Sequence, residues 1–156
     1  DRVGALIIFE REIALTDIIE TGTIVDAEIS EQLIGNIFYE GSPLHDGAAI
    51  IRNGRLYAAG CVLPLTQNKN ISKELGTRHR AGIGITENSD ALVIIVSEET
   101  GIISMASDGQ LSRFLDSKTV EKTLLNMYLG KPEANGTMAV IPRIFNKFRR
   151  KKNAEE

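Results

Sequence analysis

The sequence predicts an α/β fold: a single domain with a mixed central β-sheet flanked by helices. Two observations carry this. Strand-length apolar runs and helix-spaced segments follow one another without strict β-α-β alternation. Two hairpins are also written into the chain, about Asn53-Gly54 and about Ser107-Asp108-Gly109. Hairpins need antiparallel pairs, so the sheet is mixed rather than all parallel.

Val3 to Phe9 is an apolar run that reads as a buried strand, and Ala14 to Glu20 reads as a short helix stopped by Thr21-Gly22. Thr23 to Ile29 alternates like a half-buried outer strand. Ser30 is a good N-cap for a helix carrying Leu33, Ile34, Ile37 and Phe38, which ends near Gly41-Ser42-Pro43. Ala48 to Arg52 and Arg55 to Leu63 form the first hairpin, because Asn-Gly supplies the positive φ angles of a type I′ turn. Thr66 to Asn70 is a polar loop, and Ser72 caps the turn Lys73-Glu74-Leu75. Ala81 to Ile85 fits helix or strand equally. Ala91 to Val96 is a strand that delivers Ser97-Glu98-Glu99 to its end. Ile102 to Ala106 and Gln110 to Leu115 make the second hairpin, and Ser117 caps a helix to Leu129 ended by Gly130-Lys131-Pro132. The domain is expected over 1–130, with 131–156 a linker and basic tail that includes a short helical stretch from Pro142.

At 156 residues, 42% hydrophobic and 25% charged, the chain has the size and mix of one globular domain. Its net charge is −3, although Lys147, Arg149, Arg150, Lys151 and Lys152 crowd the end. The remaining body is thus more acidic than the whole, which argues against general nucleic-acid binding. Cys61 has no possible internal disulfide partner and sits in an apolar run, as a small buried hydrophobe would. No apolar run reaches the about 18–20 residues of a membrane-spanning helix. The chain begins at Asp1 directly before a strand, as a piece of something longer would.

Three segments carry chemistry. Asp46 lies at a strand entrance before two small residues, Gly47 and Ala48, where it can hold a divalent cation or accept a hydroxyl proton. Read alone, Asp-Gly is more readily a turn. Gly76-Thr77-Arg78-His79-Arg80 supplies two guanidinium forks and a hydroxyl suited to a polyphosphate, helped by helix amides if a helix starts there. Read alone, it is equally a solvated basic loop. Ser97-Glu98-Glu99-Thr100-Gly101 places two acids after an apolar strand, and strand alternation directs only one of them into a site. Together they suit metal-assisted phosphoryl chemistry. The chain has no P-loop motif, and Gly82-Ile83-Gly84 is too short for a dinucleotide fingerprint.

Leu44-His45-Asp46-Gly47-Ala48 with Gly76-Thr77-Arg78-His79-Arg80 resembles the paired DGA and RHR motifs of diadenylate cyclases. The flanks Ile71-Ser72-Lys73-Glu74-Leu75 and Ile95-Val96-Ser97-Glu98-Glu99-Thr100-Gly101 also match. The resemblance covers roughly residues 3 to 130 and is closest to the membrane-associated CdaA (DacA) type of bacteria. It implies a DAC-like fold and condensation of two ATP into cyclic di-AMP with release of two pyrophosphates. It implies a divalent cation, Mn²⁺ or Mg²⁺, with Asp46, Glu99 and His45 as ligands. Asp46 would also help activate the ribose 3′-hydroxyl.

By the same resemblance Gly47, Ala48 and Leu63 would lie along the nucleotide, with Leu63 on adenine. Thr77, Arg78, His79 and Arg80 would line the phosphate site, with Ser97 and Glu98 beside it. Several relatives carry an aromatic where this chain has Val62. The resemblance further implies a face-to-face homodimer, a membrane-anchored regulator, a phosphoglucosamine mutase partner and a place at the cytoplasmic face of the bacterial membrane. Two other readings compete: a non-catalytic ATP- or cyclic-dinucleotide-binding regulatory domain, and a monomeric nucleotide hydrolase. The basic tail is a solubilising end or a contact for an anionic membrane surface.

Overall fold

A computed structural model describes residues 2–130. The chain divides into two compact units, 1–115 and 116–156, a boundary ahead of the 130/131 division expected from the sequence. The linker, the basic tail and the helical stretch from Pro142 fall outside the described residues.

The first unit holds one seven-stranded sheet in the order β2-β4-β3-β1-β5-β6-β7. Its strands are β1 (Ala5–Phe9), β2 (Thr23–Glu28), β3 (Ala48–Arg52), β4 (Arg55–Cys61), β5 (Leu92–Val96), β6 (Ile103–Ser107) and β7 (Gln110–Leu115). β1 and β3 pair in parallel, and every other neighbour is antiparallel, so the sheet is mixed as the hairpins require. Alternation along the central strands splits the core in two. Leu6, Ile8, Ala48 and Ile50 face one side with Ala81, Ile85, Val93 and Ile95. Ala5, Ala49 and Ile51 face the other with Ile37 and Phe38. Helices α1 (Thr16–Ile19) and α3 (Thr77–Glu87) supply residues to the first side and α2 (Glu31–Phe38) to the second.

Most local readings hold. Ser30 Oγ accepts from Leu33 N–H at 3.1 Å and starts α2. Asn53 and Gly54 both have positive φ, 50° and 71°, and close the first hairpin. The ambiguous Ala81 to Ile85 is helix: α3 is buried from Ala81 through Thr86, so it shows no polar face from which to read a period. A Cβ on Gly84 would stand 2.2 Å from the Pro64 carbonyl and one on Gly82 2.9 Å from Ile95 Cδ1, so the two glycines serve close packing, against the loop after β4 and against β5. Cys61 is fully buried, and burial pushes its thiol up to about 11. In the second unit, α4 (Ser117–Leu129) is capped by Asp116, whose carboxylate accepts from Thr119 N–H at 2.7 Å. Ser117, the cap expected from the sequence, is the first helical residue instead. No described helix is long and apolar enough to cross a membrane.

Candidate nucleotide site

Sheet topology brings the chemistry-bearing segments to one end. β1 and β3 run in parallel, while β4 and β5 run opposite to them. The start of β1, the start of β3 and the ends of β4 and β5 therefore share an edge. Gly4, Asp46-Gly47, Val62-Leu63 and Ser97-Glu98 all lie there.

Two cavities open at this edge. The first, about 580 Å³, is lined by Tyr39, Glu40, His45, Arg78 and Glu98 together with residues 2–4 and Phe38. The second, about 500 Å³, is lined by Thr77, Arg78, His79, Ser97, Glu98, Glu99, Thr100 and Arg113, with Glu74, Gly76 and Val96. Arg78 and Glu98 belong to both, and Arg78 Nη1 donates to Glu98 Oε2 at 2.6 Å.

Gly76 is the N-cap of α3 and gives no side-chain cap, so the first amides of this 11-residue helix are left for another acceptor. His79 is only 6% exposed, and its Nε2 has no hydrogen-bond partner. Burial lowers its pKa, and the positive charge of Arg113 lowers it further, so the imidazole stays neutral. Ser97 Oγ accepts from Thr100 N–H at 3.3 Å, and Gly101 N–H donates to the Ser97 carbonyl at 2.8 Å. This turn begins after β5 has ended at Val96. Strand alternation therefore does not separate the two acids, and Glu98 and Glu99 line the same cavity, contrary to the expectation that only one would.

On the other loop, the Ser42 carbonyl accepts from both the backbone N–H of His45, at 3.1 Å, and its Nδ1, at 2.6 Å. That bond puts a proton on Nδ1, so the neutral form of the ring carries its lone pair on Nε2, 3.6 Å from Asp46 Oδ1. The Asp46 side chain is 91% exposed. His45 and Asp46 are thus a ready pair of donors for a divalent cation. Glu99 lines the second cavity, whereas His45 lines the first. Among the described residues no three of His, Cys, Asp and Glu come together, so Asp46, Glu99 and His45 do not form one cluster.

Other expected site residues are placed differently. Gly47 has φ +101°, and a Cβ there would lie 2.6 Å from the Cys61 carbonyl, so its smallness serves the β3–β4 contact. Ala48 and Leu63 are buried in the core, and the exposed apolar side chain at the end of β4 is Val62, at 64%. Arg80 lines neither cavity; its carbonyl accepts from Thr66 N–H at 3.0 Å. Residues two apart on a helix lie on opposite sides, so Arg78 and Arg80 cannot both face the same cavity. Two residues went unnoticed in the sequence. Gly4 leaves room for Arg78, since a Cβ there would lie 2.6 Å from Arg78 Nη1. Arg113 lies between Leu111 and Leu115, and that apolar parity was the available signal that it faces inward.

The family described as DisA bacterial checkpoint controller nucleotide-binding matches residues 1–111. The chain is 50% identical over 123 residues to the cyclic di-AMP synthase CdaA of Bacillus subtilis, covering 79% of this chain and 45% of that one. It is 45% identical over 148 residues to a diadenylate cyclase of Listeria monocytogenes, covering 95% and 52%. The chain therefore spans about half the length of these curated relatives. A double mutant of DacA from Staphylococcus aureus superposes with a TM-score of 0.80 at 50% identity, over 83% of this chain and 86% of that one. A hypothetical membrane spanning protein from Bacillus cereus superposes at 0.69 and 48% identity, over 72% and 55%. With a matching family over most of its described length and a shared sheet, the chain belongs to the DAC family of nucleotide-binding domains.

Proposed function

We propose that the chain is the catalytic domain of a diadenylate cyclase, condensing two ATP into cyclic di-AMP and two pyrophosphates. One observation carries the reading. An uncapped helix N-terminus bearing Thr77, Arg78 and a buried His79 shares a cavity, through Arg78, with His45, the chain neighbour of exposed Asp46. The first group suits a triphosphate, and the second suits a cation and a hydroxyl.

Each ribose 3′-oxygen forms a bond to the α-phosphorus of the other ATP, and each α-phosphorus releases its pyrophosphate. The hydroxyl protons pass to the Asp46 carboxylates. Arg78 and the first amides of α3 hold the phosphate oxygens, with Ser97 Oγ–H donating beside them. Asp46 and His45 would hold a divalent cation, which would supply positive charge against the phosphates and make the attacking hydroxyl more acidic. A site on one protomer holds one ATP, so catalysis needs a second protomer face to face, and specific activity falls on dilution.

Incubating the chain with ATP and Mn²⁺ or Mg²⁺ and identifying the products tests the reading. Cyclic di-AMP supports it. AMP or ADP alone indicates a hydrolase, and unchanged ATP with measurable binding indicates a regulatory domain. The membrane position, the membrane-anchored regulator and the phosphoglucosamine mutase remain proposals from the family resemblance, and co-purification from membranes with the full-length protein tests them.

A further inference from the structure

β7 carries an irregularity beside the second cavity. Met105 pairs with Ser112 and Ile103 with Leu115, so the single residue Ser104 stands opposite both Arg113 and Phe114. That is a bulge, and bulges re-aim side chains next to sites. Phe114 takes φ 59°, a left-handed conformation costly for an aromatic residue, and is 73% exposed. Arg113 lines the cavity, with its Cζ 5.0 Å from the Phe114 ring centroid. Its Nε is buried without a hydrogen-bond partner, and no ion pair within the described residues engages it. Arg78, by contrast, is already bonded to Glu98.

A buried guanidinium nitrogen without an acceptor is costly to maintain unless a ligand supplies one. Across the same cavity His79 offers its own unpartnered Nε2, and α3 offers uncapped amides. The guanidinium and the amides call for an anion with several oxygens, and the imidazole can donate to it as the Nε2–H tautomer. We propose that Arg113 is a substrate-binding residue that grips the non-transferred phosphates of ATP, and that the β7 bulge exists to aim it. This rests on the cyclase reading only for the identity of the nucleotide. The phosphates that leave as pyrophosphate need a cation that stays with the protomer, and Arg113 lies on the sheet wall of the cavity rather than on the Asp46 loop.

The test is titration of the whole chain, unaltered and as Arg113→Ala, Arg113→Lys and Arg113→Gln, with inorganic pyrophosphate, AMP and a non-hydrolysable ATP analogue. Arg113→Ala is expected to weaken pyrophosphate and the analogue by about ten- to a hundredfold, the worth of charge-assisted hydrogen bonds, while AMP affinity stays within about twofold. Arg113→Lys keeps a point charge without the fork and should fall between. Equal losses for AMP and pyrophosphate would indicate a merely structural role and overturn the proposal, as would no loss at all. Should Arg113→Ala fail to fold, unaltered pyrophosphate affinity in the Lys and Gln variants overturns it equally. If the unaltered chain makes no cyclic di-AMP but shows the selective loss, the cyclase reading fails and this assignment stands.

Discussion

Arg78 crosses the mouth of β1 to reach Glu98, 2.6 Å away, and it can do so because Gly4 presents no side chain beneath it. The ion pair joins α3 to the turn after β5 and forms the wall between the two cavities. With Glu98 61% exposed, the pair contributes little to stability. Its role is to orient the guanidinium.

Gly4→Ala should therefore act on activity more than on folding. The new methyl would meet Arg78 Nη1 and Glu98 Cβ, at 2.6 and 2.9 Å. Arg78 has to swing away, and cyclic di-AMP formation is expected to drop on the order of tenfold or more, with a nearly unchanged Tm. A kinetic assay beside a thermal melt checks this, and full activity in the variant would refute the positioning role.

Asp46→Asn separates chemistry from fold. The side chain is 91% exposed, so the melting curve should not move. Removing the carboxylate proposed as proton acceptor and cation ligand should lower turnover by about a hundred- to ten-thousandfold. Product yield close to the unaltered level would take Asp46 out of the reaction.

Val62→Tyr tests the adenine end. Val62 is the exposed apolar side chain at the end of β4, beside buried Leu63. A ring stacked on a base contributes about 1–3 kcal/mol, so ATP-analogue affinity should rise by about tenfold. An affinity equal to that of the unaltered chain would place adenine elsewhere.

Acid sensitivity should come in two windows. His79 has a lowered pKa, so as pH falls through the ordinary histidine range the unfolded chain takes up a proton that the folded chain refuses. Stability declines there, and His79→Gln should remove that decline. The second window belongs to Glu10. Burial alone would raise its pKa. The Arg52 fork, at 2.8 and 2.9 Å, and the Leu15 N–H, at 2.9 Å, more than offset this and leave it below the usual glutamate range. Its contribution is complete above the ordinary glutamate value and is lost as pH falls through the lower folded value. Glu10→Gln should flatten that second decline and cost about 1–3 kcal/mol at neutral pH. Chemical denaturation across pH measures both, and a single unchanged acid transition in either variant would contradict its assignment.

Local features were determined by the sequence itself. Asn53-Gly54, Ser30 and the strand alternations act over a few residues, so composition and spacing reveal them directly. Asp46 and Arg78 stand out as candidates for the same reason, because each sits in a short run of unusual chemistry. Tertiary structure decided which members of those runs line the cavities. Helical rotation turns Arg80 away from Arg78, β3–β4 packing claims Gly47, and the core claims Ala48 and Leu63. Sheet order brings β7 alongside β6, next to α3, and a one-residue bulge aims Arg113 at the cavity, though Arg113 is 35 positions from Arg78 in the chain. Neighbours of that kind are made by long-range pairing, which no local spacing records.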